Sequence, residues 1–80
     1  MLEGQNYITS SEQLEFAIFC IENMAARTGI DAEKMYEILA VKSDVLQGYI
    51  IPNFEILHTQ GKDYIVDDIL DVLKEKGVAV

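Results

Sequence analysis

Asp63-Tyr64-Ile65-Val66-Asp67-Asp68-Ile69-Leu70-Asp71-Val72-Leu73-Lys74-Glu75-Lys76 is the stretch that decides the fold class. At 100° per residue, Ile65, Val66, Ile69, Leu70, Val72 and Leu73 fill one half of a helical wheel. Asp63, Asp67, Asp68, Asp71, Lys74 and Glu75 fill the other half. Gly77 supplies a stop just beyond the end. The apolar half of such a helix has to be covered by other elements of the fold.

A second long helix is predicted over residues 11–28. Ser10 followed three residues later by Gln13 has the spacing of a capping box, Glu12 and Glu15 suit the positive helix end, and Gly29 is a stop. Leu14, Phe16, Ala17, Ile18, Cys20, Ile21, Met24 and Ala25 sweep about half its circumference, wider than the ~100° stripe of a surface helix. This is the expected central helix. Asp31 is the N-cap of the next, with Ile30 and Met35 at staple spacing, Met35, Tyr36, Ile38 and Leu39 facing inward, and fraying expected around residues 41–43.

Between residues 44 and 61 two readings compete. Val45, Leu46, Tyr49 and Ile50 have helical spacing up to Pro52, after which Asn53 caps a short helix through Phe54, Leu57 and His58 that closes at Gly61. The alternative is a hairpin over residues 49–57 around Pro52-Asn53. Proline cannot take the positive φ that a two-residue hairpin favours at its first central position, so helices are preferred. The expected fold is therefore all-α, a small bundle of four to five helices. Its two long helices cover about 11–28 and 63–76, with shorter ones between. One domain spans 1–80, with 1–9 as an N-terminal arm and 78–80 as a short apolar tail.

Size scaling places about 60% of the unfolded chain's surface inside such a domain, so it is marginal alone and gains from a partner or from self-association. Fourteen acidic residues against six basic ones give a net charge of −8. That balance disfavours nucleic acid, which needs Lys and Arg to replace counterions, and anionic membrane surfaces. It suits a basic protein partner. No run approaches the ~20 apolar residues of a membrane span, and Met1 to Asn6 lack the basic and apolar regions of a secretory signal. The lone Cys20 has no internal disulfide partner and fits a reducing cytoplasm.

No catalytic set is present: there is no phosphate-binding glycine loop, no serine-hydrolase elbow and no zinc-type ligand spacing, so no cofactor or metal is expected. Cys20 reads as a core thiol. Asp63, Asp67 and Asp71 share a strip that reads as a solvated face rather than a cation site. The candidate interaction residues are Phe19 beside Glu15 and Glu22, Tyr64 within the acidic strip, and the polar corner His58, Thr59 and Gln60. For His58 the structural role is preferred: bonding free carbonyls at one helix end while Thr59 or Gln60 serves the amides of the next. Any self-association is expected to use apolar surface of the first helix and the middle segment.

The runs Glu15-Phe16-Ala17-Ile18-Phe19-Cys20-Ile21-Glu22-Asn23, Tyr49-Ile50-Ile51-Pro52-Asn53-Phe54, Leu57-His58-Thr59-Gln60-Gly61 and Tyr64-Ile65-Val66-Asp67-Asp68-Ile69 resemble domain-of-unknown-function family 3791, from about Leu14 to Gly77. Leu57-His58-Thr59-Gln60-Gly61 is the most specific part. The resemblance implies a bacterial cytoplasmic protein. Members encoded beside proteins resembling ADP-ribosyltransferases imply an antitoxin-like or accessory role. The leading expectation is a non-enzymatic protein-interaction module. The alternatives are a small-ligand-binding domain and an acyl-carrier-like protein, for which Ser43 in Lys42-Ser43-Asp44-Val45 is the one internal candidate serine, without the carrier motif's preceding aspartate or following leucine.

Overall fold

The structure, a computed structural model, describes residues 8–80. In chain order it contains α1 (Ser11–Thr28), α2 (Ala32–Tyr36) running directly into a π-helical segment (Glu37–Lys42), a second π-helical segment (Leu46–Ile50), α3 (Phe54–Leu57) and α4 (Lys62–Glu75). The described regular structure is entirely helical, so the hairpin alternative for residues 49–57 is not adopted. Residues 1–7 of the expected N-terminal arm lie outside the described residues.

α1 begins where the serine and glutamine spacing placed it. The Ser10 Oγ accepts the Gln13 N–H at 3.1 Å, and the Gln13 side chain reaches back one residue further than in a standard capping box, to the Thr9 N–H at 2.8 Å. Gly29 ends the helix at φ 78°, a left-handed conformation that costs glycine little, and its N–H bonds the Ala25 carbonyl. Both α2 and α4 pack on α1, as expected of a central helix. Its buried line is Phe16, Ala17, Cys20 and Met24. The remaining arc is not fully covered: Ile21 and Ala25 are half-buried, whereas Leu14 (40% exposed) and Ile18 (45%) face outward.

α4 has no such surplus. Ile65, Val66, Ile69 and Leu73 are buried, and Leu70 and Val72 pack against the same core. Its C-terminal end closes through paired bonds, Gly77 N–H to the Lys74 carbonyl at 3.0 Å and Val78 N–H to the Leu73 carbonyl at 2.9 Å. Val78 thereby packs on the core, giving the apolar tail a partner at its first residue. The helix starts at Lys62, with Gly61 in extended backbone as its N-cap. Gly61 therefore opens α4 rather than closing α3, which ends at Leu57 with His58 at its cap position.

The middle departs most from expectation. α2 does not fray around residues 41–43. The chain instead widens into π-helical turns, and the Ser43 N–H bonds the Ile38 carbonyl five residues back at 3.0 Å. Asp44 then takes φ 66°, a left-handed conformation that interrupts the helical path and that aspartate tolerates better than most side chains. The Gln47 amide reaches back across this interruption to the Ala40 carbonyl at 2.8 Å, and the Tyr49 hydroxyl donates to the Asp68 carboxylate, tying the second π segment to α4. Asn53 precedes α3 but does not cap it. Its side-chain amide turns back to the Tyr49 carbonyl at 2.8 Å.

Candidate functional site

Phe16, on the buried line of α1, is the pivot of an aromatic row. Phe19, one turn further along the same helix, lies nearly parallel to it with ring centres 6.0 Å apart. Phe54, the first residue of α3, meets Phe16 edge-on at 5.4 Å. His58, four residues after Phe54, stacks on its ring at 4.6 Å. The His58 Nδ1 lies 2.8 Å from the Phe54 carbonyl. A carbonyl can only accept, so Nδ1 carries a hydrogen and a neutral ring leaves Nε2 as a free acceptor. The row is buried at Phe16, half-buried at Phe54 and open at its two ends, Phe19 (37% exposed) and His58.

Together with Glu12 and Glu15 these four rings line an open groove of about 340 Å³. The two carboxylates are three residues apart on α1 and stand side by side on its surface. Neither carboxylate is in an ion pair among the described residues, whose ion pairs all belong to Arg27. Chemically, the groove offers ring faces with a negative quadrupole, two carboxylates and an imidazole acceptor.

The sequence-designated residues therefore divide. Phe19, Glu15 and His58 come together in the groove. Thr59 and Gln60 are exposed beside it but do not line it: the Thr59 hydroxyl donates to the Ile56 carbonyl at 2.7 Å, and the Gln60 amide turns to Thr59 rather than to the first amides of α4. Glu22 is exposed on α1 outside the groove, and Tyr64 is exposed on α4 beside the acidic strip. Phe16, Phe54 and Glu12 were not among the designated residues. The i, i+3 spacing of Phe16 and Phe19 and the i, i+4 spacing of Phe54 and His58 are legible in the sequence. The contact between Phe16 and Phe54 is tertiary and is not.

Other chemistry-bearing residues have structural tasks. Cys20 is wholly buried, and burial pushes its thiol up to about 12. Arg27 bridges α1 to α4, with Nη1 2.7 Å from Asp67 and Nη2 3.5 Å from Asp63, so two carboxylates of the acidic strip face a cation of the same chain. The hydrogen bond from Tyr49 to Asp68, with some burial, pushes the phenol up to about 12. Among the described residues, no group of three or more His, Cys, Asp or Glu side chains is arranged to hold a metal ion. None of the described helices is long and apolar enough to cross a membrane.

Ser43 is 6% exposed, and its hydroxyl donates toward the Ile38 carbonyl at 2.7 Å while accepting the Val45 N–H at 3.3 Å. A second, larger hollow of about 510 Å³ lies between Gln13, Gln47 and residues 51–56. The Gln47 Oε1 is buried and has no hydrogen-bond partner among the described residues.

A family model described as "Protein of unknown function (DUF3791)" matches residues 15–76. The chain belongs to this family. No curated protein and no solved structure matches it. The DUF3791 match spans Glu15, Phe16, Phe19, Phe54 and His58, so five of the six groove residues lie within the family region and Glu12 lies just before it.

Proposed function

We propose that this DUF3791 protein is a non-enzymatic protein-interaction module, an antitoxin-like accessory partner in a bacterial cytoplasm, and that the aromatic groove of α1 and α3 is its contact surface. One observation carries the reading: a packed aromatic row ends in a partly exposed Phe19 and an exposed His58, with two carboxylates along its edge. Aromatic anchors framed by polar groups are a recurrent composition of contact sites, where burying the ring supplies most of the energy and the rim excludes water.

The carrier alternative draws no support from the geometry. A phosphopantetheine arm needs an accessible serine hydroxyl, and that of Ser43 is enclosed and bonded to backbone on both sides. The small-ligand alternative is also less favoured, because a groove open along one side leaves much of a bound small molecule in water, unlike the enclosing pockets such ligands prefer.

The test is affinity capture from the native host with wild type and Phe19→Glu, after denaturation curves have established that both fold. A stoichiometric protein captured by wild type and lost with the variant supports the reading. Equal capture by both removes the groove as the contact, and turnover of a small molecule without any protein partner overturns the function.

A further inference from the structure

The proposed contact surface has a definite chemistry, and it narrows what can occupy it. The floor is two rings in edge-to-face contact, Phe16 and Phe54, and the open ends are Phe19 and His58. A ring face attracts a cation through its quadrupole. Glu12 and Glu15 stand on the edge as acceptors, and Nε2 of His58 is the ring nitrogen not turned to the Phe54 carbonyl. The whole chain carries −8, so its field favours the approach of positive segments and disfavours negative ones.

Building on the interaction reading above, we propose that the groove seats an arginine side chain presented by a basic segment of a partner protein. Three competing occupants fit less well. A second copy of the chain would bring the same two carboxylates and the same −8 against this face. An anionic lipid surface meets the same repulsion. A lysine ammonium is compact and strongly hydrated, so it gives up more water on leaving solution for an aromatic floor. A guanidinium is flat and weakly hydrated. It can lie along the Phe19 ring while its edge donates to a carboxylate, the pairing that its planar fork of N–H groups suits.

The test titrates the full-length, 15N-labelled chain with three peptides of one glycine-serine host, carrying two arginines, two lysines or two citrullines. Citrulline keeps the shape of arginine and removes its charge. The expected result is that the arginine peptide shifts the amides around Phe19, Phe54 and His58, binds more tightly than the lysine peptide, and weakens with added salt. The citrulline peptide leaves those amides in place. Phe19→Leu, which keeps apolar volume and charge but removes the ring, weakens the arginine peptide roughly two- to fivefold, as loss of an exposed cation–π contact implies.

Equal binding of the arginine and lysine peptides, with shifts spread along the Asp63 to Asp71 strip, overturns the proposal in favour of bulk charge. An arginine peptide that leaves the groove amides unmoved also overturns it. The capture experiment then decides the broader reading separately: if Phe19→Glu still abolishes partner capture, the groove remains the contact surface and only its ligand class is wrong.

Discussion

α1 and α4 are the two long amphipathic helices of the protein, and they use their apolar faces differently. α4 places Ile65, Val66, Ile69 and Leu73 wholly inside. α1 buries Phe16, Ala17, Cys20 and Met24 and leaves Leu14, Ile18 and Phe19 partly in water on either side of that line. The apolar half of α4 has no exposed member, with Leu70 and Val72 half-buried beside the buried four. The apolar surface of α1 exceeds what α2, α3 and α4 cover on two flanks, Leu14 and Ile18 on one and Phe19 on the other, and the Phe19 flank is continuous with the aromatic row. A helix whose apolar arc exceeds what its neighbours can bury is a place to look for an outside contact.

Two isoleucines separate the faces most strongly. Ile69→Ala in α4 empties a fully buried site and should cost about 2–5 kcal/mol, a large part of the stability of so small a domain. Ile18→Ala in α1 should cost below about 1 kcal/mol, because nearly half its side chain is already in water. Chemical denaturation of both variants reads the difference directly. Similar losses would mean that the two faces are equally part of the core.

The interior of α1 also makes stability depend on pH. The folded Cys20 thiol titrates near 12, above its ordinary 9, so above pH 9 the unfolded chain sheds this proton before the folded one does. Stability from this group is complete below pH 9 and falls as pH rises, by about 1.4 kcal/mol per unit up to the folded value. Tyr49, also raised to about 12, adds a loss that begins near pH 10. Denaturation at pH 8 and 10 should show the decline, and Cys20→Ala should flatten the part that sets in between 9 and 10. A variant with the wild-type slope would mean that the thiol is not sealed in the core.

His58→Ala has the smallest expected effect on stability, below about 1 kcal/mol. The ring bonds the Phe54 carbonyl and stacks on Phe54, yet it is exposed, so water satisfies the carbonyl once the ring is gone. A loss of 2 kcal/mol or more in thermal or chemical denaturation would return His58 to a purely structural role.

How much of this was legible in the sequence follows from the kind of interaction involved. The two long helices could be read because periodicity and caps agree: Ser10 with Gln13 and Gly29 bound one, and Gly77 closes the other. The π-helical turns could not, since they arise where the chain must fit Leu39, Val45, Leu46 and Ile50 into one core around Asp44, and no hydrophobic period announces them. The sequence places Gly61 at the end of the wrong helix because a glycine between two helices can serve as a stop or a start, and its ψ of 161°, extended rather than helical, decides for the start. Of the groove, Phe19, Glu15 and His58 are each legible separately. Their convergence depends on Phe16 meeting Phe54 across 38 residues of chain, which only the tertiary structure supplies.

If the Phe19 flank of α1 serves an outside contact while the buried line serves the fold, Phe19→Glu separates the two when stability and partner capture are measured together. The expected result is a denaturation midpoint close to wild type with loss of the captured protein. A variant that folds as well as wild type and retains the same partner at the same stoichiometry would contradict it.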